Sequence, residues 1–181
     1  MNINLWHDLS SGPELPDIVH AVIEVPKGSR NKYEYSKKAG LLKLDRVLYS
    51  AVMYPGDYGF IPRTLFEDGD PMDILVMINE PTFPGCVIEA RPIGMFKMID
   101  DDEKDFKILA VPATDPSFDD YHKMDDIPKH FPREMENFFL TYKQLQGTPV
   151  STLGWATAEE AKESIQESRK LYDKEFPGLS I

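Results

Sequence analysis

"VIEARPIGMFKMIDDDEKDFKILAVPA", Val87 to Ala113, has two apolar arms, 87–99 and 107–113, joined through a polar stretch. The joint "DDDEKD" (100–105) packs five acids into six residues, as the exposed tip of a hairpin would. A chain that folds back on itself here builds sheet, and the stretches before it read the same way. "IVHAVIEV" (18–25) alternates as a half-buried strand does, and "KYEYS" (32–36) alternates tyrosine with charge. "KKAG" then turns the chain into "LLKLDRVLYS" (41–50). "YPGDYGFIP" (54–62) is aromatic and rich in Gly and Pro, so it is a shaped loop or short strand. "MDILVMI" (72–78) reads as a buried strand from its apolar run.

Beyond the hairpin the apolar period lengthens. Met135, Phe138, Phe139, Tyr142 and Leu145 recur at three- and four-residue steps and predict a helix, with Gly147 placed to end it. Thr157 and Glu160 have the spacing of a capping box, and Pro177–Gly178 close a second helix. Strands first and helices last predict an α+β chain, mainly β, with a small antiparallel barrel carrying two main helices outside. No repeat or composition break divides the 181 residues, so one domain over 1–181 is expected.

A formal charge of −11 argues against a nucleic-acid or anionic-membrane surface, since either needs a basic footprint. Cys86 is the only cysteine, which excludes an intrachain disulfide and a cysteine-based zinc site. His7, His20, His122 and His130 lack ligand spacing and read as surface or capping residues. The first seventeen residues lack the basic start and apolar core of a signal peptide, and no apolar run reaches membrane-spanning length. A cytoplasmic protein is expected, and its N-terminal seventeen residues are expected to carry little chemistry.

"EDGDPMDILV" (67–76) crowds Asp68, Asp70 and Asp73 just where the chain enters its core. In extended chain Asp68 and Asp70 point to one side, a geometry Pro71 favours. Three carboxylates this close repel one another, and without a counter-ion at least one is pushed towards protonation. A divalent cation removes the conflict, and hard oxygen ligands suit magnesium or manganese. The competing reading is an acidic turn before a strand. The apolar flanks and the second acidic group at 100–105 weigh against it. An EF-hand loop fails, because its sixth and twelfth positions would hold Asp73 and Asn79.

Lys32, Arg46, Lys107 and Lys143 with Tyr54 and Tyr58 supply a cationic and phenolic half. Arg46 lies in a largely apolar strand, where it pairs with Asp45 or faces an anion. Acids that hold metals and bases that hold oxyanions describe metal-assisted phosphoryl transfer. No P-loop, Gly-rich dinucleotide loop, serine elbow or cysteine nucleophile is present in the sequence, which favours direct attack by water. The alternatives are a non-catalytic OB-type binding module and a metal-buffering acidic protein. The acidic balance opposes the first, and the second leaves Arg46, Lys143 and the tyrosines without a purpose.

"EVPKGSRNKYEY", "LDRVLYS", "YPGDYGFIP", "DGDPMDILV", "PGCVIEARPIG", "KMIDDDEKDFKILAVP", "FF…YK" and "GW", in this order, resemble the soluble inorganic pyrophosphatases of family I. The resemblance runs from about Ile18 to about Trp155 and implies a five-stranded OB-type barrel and inorganic diphosphate as substrate. It implies that Asp68, Asp73 and Asp105 ligate the tightest magnesium, with Asp73 bridging to a second. Asp100 and Asp105 would hold a further ion arriving with substrate, and Glu24 would contribute through water. Asp70 would be the general base towards the attacking water. Lys32, Arg46, Tyr58, Tyr142 and Lys143 would bind phosphate groups, Arg46 and Tyr142 on the leaving side. Glu34, Tyr54 and Lys107 would support them, Asp102 would have no role, and the compact length suits a homohexamer.

Overall fold

The computed structural model describes residues 3–179. Its elements in chain order are β1 (Val19–Val25), β2 (Asn31–Ser36), β3 (Leu41–Val47), β4 (Asp57–Phe60), β5 (Asp73–Val76), β6 (Val87–Asp100), β7 (Glu103–Pro112), α1 (His130–Thr141), β8 (Val150–Ala156) and α2 (Ala158–Glu175). Strands β1, β4, β5, β7 and β6 neighbour one another in that order, and β1 also pairs with β6, which closes a five-stranded OB-type barrel. β8 adds to β6 outside the ring, and β2 with β3 forms a separate two-stranded hairpin. The barrel is antiparallel except where β5 and β7 run parallel, which departs from the wholly antiparallel barrel expected.

The long hairpin makes closure possible. β6 is 14 residues long, and its pairing with β7 breaks register between Pro92 and Gly94. Such an irregularity bends a strand and sharpens its twist. The first part of β6 then pairs with β1 over Val87–Ala90, and the part after the bend pairs with β8 from Met95 onward. At the tip, Asp101 and Asp102 take φ of 51° and 67°. A two-residue turn of the primed type needs both of its central residues left-handed. Asp102 thus has a local structural task.

Both faces of the β5–β7 wall are buried, which explains why these strands read as apolar runs without alternation. Leu75, Leu109 and Val111 pack with Met135, Phe138 and Phe139 of α1. Their neighbours Ile74, Val76, Ile108 and Ala110 share a second cluster with Ala161 and Ile165 of α2. Gly59 lets β4 lie close on β1, because a Cβ there would overlap the Val22 carbonyl.

Two elements differ from expectation. The helix predicted to run to Gly147 stops at Thr141, and Gly147, at φ 75°, ends a separate 3₁₀ turn over Gln144–Gln146. Leu145, counted into the apolar face, is exposed. β8 was not expected at all. α2 begins where the capping box placed it: Thr157 and Glu160 each accept from the other's backbone N–H.

Candidate active site

One cavity of about 270 Å³ lies at the end of the barrel where β5, β7, the hairpin tip and the β2–β3 hairpin meet. Strand geometry assembles its centre. Asp105 and Lys107 are two apart on β7 and so face the same way. The parallel register sets Lys107 beside Asp73 of β5. The Lys107 ammonium contacts both Asp73 and Asp105, and the Tyr58 hydroxyl donates to Asp73 at 2.6 Å. From the end of α1, Tyr142 donates to Asp100 at 3.3 Å and Lys143 forms an ion pair with the same carboxylate. Lys32 pairs with Glu34 on β2, and Glu24 accepts the Tyr35 N–H at 2.6 Å.

The segment before β5 is a turn, which corrects the extended chain expected there. Gly69 takes φ 84°, the Asp70 N–H donates to Asp68 Oδ1 at 2.9 Å, and the Phe66 N–H donates to the Asp70 carbonyl at 2.7 Å. The two carboxylates still reach the same cavity, because the chain curls around its mouth.

Of the fourteen residues singled out from the sequence, twelve line the cavity: Glu24, Lys32, Glu34, Tyr58, Asp68, Asp70, Asp73, Asp100, Asp105, Lys107, Tyr142 and Lys143. Arg46 and Tyr54 do not. Arg46 is the register partner of Lys32 and pairs with Asp45 at 2.6 Å, and its Nε is buried without a partner among the described residues. Tyr54 stands behind the wall, 5.3 Å from the Tyr58 ring and 4.6 Å from Phe138. The sequence reading missed Trp6, Tyr35, Lys37 and Phe60, which also line the cavity, as does Pro71, read only for its effect on the backbone. Tyr35 and Lys37 belong to the hairpin segment that carries Lys32, and that adjacency was the available signal. Trp6 brings the N-terminal segment, expected to carry little chemistry, to the cavity wall. Its indole N–H donates to the Thr64 carbonyl at 2.9 Å, fixing it beside the site. His7 is half-buried: it stacks on Trp6 at 4.5 Å, and its Nδ1 lies 2.6 Å from the Tyr172 hydroxyl.

Seven carboxyl groups face four ammonium groups in this cavity, which leaves three surplus negative charges if all ionise. The electrostatics register that surplus. Burial pushes Glu24 up to about 8 and Asp68 up to about 6, with neighbouring carboxylates adding to both. Burial raises Asp73 as well. Burial alone would lower Lys107, but Asp105 and Asp73 outweigh it and hold the amine charged. Burial also raises Tyr54, Tyr58 and Tyr142 well above the ordinary phenol value, so all three stay protonated donors at neutral pH.

The donor set fits divalent cations. Asp100 Oδ1 is buried with no hydrogen-bond partner among the described residues, and the excess of hard oxygen ligands suits such ions. Among the described residues no three acidic, histidine or cysteine side chains form a ready-made metal cluster. Lysine ammonium groups stand among the acids instead.

A family model for inorganic pyrophosphatase matches residues 21–173. The chain is 51% identical to an inorganic pyrophosphatase of Haloferax volcanii over 96% of this chain and 99% of that protein. It is 50% identical to a soluble inorganic pyrophosphatase of Solanum tuberosum, over 92% of this chain and 79% of the relative. The crystal structure of inorganic pyrophosphatase from Thermus thermophilus superposes with a TM-score of 0.91 at 44% identity, covering 94% of this chain and 99% of that one. By fold, by the residues gathered in its cavity and by these relatives, the chain belongs to the inorganic pyrophosphatase family.

Proposed function

We propose that this chain hydrolyses inorganic diphosphate to two orthophosphates, water attacking phosphorus in line with no covalent intermediate. The observation that carries the reading is one cavity in which seven carboxyl groups meet four ammonium groups and the phenols of Tyr58 and Tyr142. A phosphoric anhydride brings negative charge of its own, so its site needs cations as well as donors. Asp68, Asp73, Asp100, Asp105 and Glu24 would hold several magnesium ions, with manganese as a substitute. Bound there, the ions would stabilise charge on phosphoryl oxygens and acidify water towards a pKa of ~7.

Asp70 is the general base. Its carboxylate pairs with Lys37 and with neither Tyr58 nor Lys107, and it stands exposed at the mouth, where it takes the proton of the attacking water. Lys32, Arg46, Tyr58, Tyr142 and Lys143 bind phosphate oxygens, Arg46 and Tyr142 on the leaving group. Lys107 holds Asp73 and Asp105 in place, Glu34 orients Lys32, and Tyr54 backs the Tyr58 ring. The alternative of a non-catalytic OB-type binding module is opposed by the acidic lining, which would repel a phosphate backbone.

Assembly as a homohexamer in the cytoplasm completes the proposal. Leu41, Leu44 and Val47 along β3 are all about half exposed or more, which supports burial against further copies. A lone cysteine suits a reducing compartment. Among the described residues no helix is long and apolar enough to cross a membrane. Phosphate release from diphosphate, with magnesium and with EDTA, tests the activity. Rapid release that depends on magnesium is expected, and no release with magnesium present would reject the reading.

A further inference from the structure

Lys37 is the fourth ammonium of the cavity, and it has no role in the scheme above. It sits in the turn between β2 and β3, a segment ordered by backbone donation from Ala39 and Gly40 to the Ser36 carbonyl at 3.1 and 2.8 Å. Its ammonium meets three groups at once. It forms an ion pair with Asp70, donates to the Gly69 carbonyl at 3.0 Å, and stands 5.0 Å from the Trp6 ring centroid. Trp6 is a fixed plate, 4% exposed, held by its bond to Thr64, by stacking on His7 and by the edge of Phe176 at 5.4 Å. Asp70, in contrast, has its backbone fixed at both ends while its carboxylate meets no donor but Lys37 among the described residues.

From this geometry we infer that Lys37 is a positioning residue for the reaction: it holds the Asp70 carboxylate at the cavity mouth, and Trp6 holds Lys37. Exposed ion pairs contribute little to stability, and both partners here are substantially exposed, so the contact serves orientation. A three-point hold on the ammonium restricts the carboxylate to one direction, and proton transfer depends on that alignment. The inference rests on the reading of Asp70 as the base.

A double-mutant cycle over Lys37→Met and Asp70→Asn, with Lys37→Arg beside it, tests this with magnesium and diphosphate. Methionine keeps the aliphatic stem on Trp6 and removes only the charge and donors. Lys37→Met is expected to lower kcat about tenfold with KM for diphosphate and melting temperature held, and Lys37→Arg to recover most of the loss. In the Asp70→Asn background Lys37→Met is expected to cost nothing further, because the group it positions is gone. An equal fractional loss in both backgrounds, or a rise in kcat in Lys37→Met, would overturn the inference. In a Trp155→Phe background Trp6 is the sole indole. Its emission is expected to change in Lys37→Met, and identical spectra would show that the ammonium does not rest on the ring. Full activity in Asp70→Asn would remove the base reading, whereas loss there with none in Lys37→Met would remove this inference alone.

Discussion

Arg46 shows how much a single residue can leave undecided. The sequence placed a guanidinium in an apolar strand and left two partners open, Asp45 or an anion. Both are compatible with the fold: Asp45 holds one end of the side chain, and the buried Nε has no acceptor among the described residues. A guanidinium with an unused donor beside an acid-lined cavity is suited to a phosphate oxygen. Arg46→Ala is expected to lower kcat by about 100-fold, the scale of losing one aligned charge-stabilising donor. Magnesium affinity by calorimetry is expected to stay close to wild type. Lost metal affinity with full activity per loaded enzyme would make Arg46 structural. The tyrosines show the same economy, since burial that raises their pKa is what keeps them donors.

At the scale of elements, the legible parts were those whose local chemistry and tertiary setting agree. The β6–β7 hairpin, the buried runs and the α2 cap were all readable, because pattern and burial point the same way. Where they part, the reading failed. The apolar period of α1 continues to Leu145, yet the helix ends at Thr141 and delivers Tyr142 and Lys143 to Asp100. β8 was invisible because its burial is slight until Ala156 and Gly154 interrupts it at φ 89°. The hairpin tip carries its own prediction. Replacing Asp101–Asp102 by Asn–Gly suits two left-handed positions better, and is expected to raise stability by about 0.5–1 kcal/mol in urea unfolding with kcat unchanged.

The α2 cap makes a pH-dependent prediction. Backbone donation from Thr157 and the Lys97 ammonium hold Glu160 below its ordinary value of 4.5. A carboxylate lowered on folding adds stability above its unfolded pKa and loses it as pH falls through the folded one. Glu160→Gln is therefore expected to lower the melting temperature at pH 7 and to leave it unchanged near pH 3. Thr157→Ala, which removes the hydroxyl acceptor, is expected to cost about 1 kcal/mol at pH 7. Equal losses at both pH values for Glu160→Gln would show that the charge plays no part.

For the whole molecule, the site is a product of closure, and closure is what a linear reading sees least. Twelve of the fourteen residues named from the sequence meet in one cavity, because barrel strands, the turn before β5, the β2–β3 hairpin and the end of α1 converge there. Trp6 escaped notice because its place depends on a bond to Thr64, 58 residues away. Assembly is a question at this same scale. Light scattering after size exclusion is expected to give six times the 20.7 kDa chain mass, and a monomer at working concentration would contradict the proposed hexamer. The central claim is that this cavity activates water through Asp70. Its most direct test is kcat for diphosphate in Asp70→Asn, with magnesium binding measured on the same protein. A fall of about 10²–10⁴-fold with metal binding retained is predicted, because an amide cannot accept the proton. An undiminished rate would contradict it.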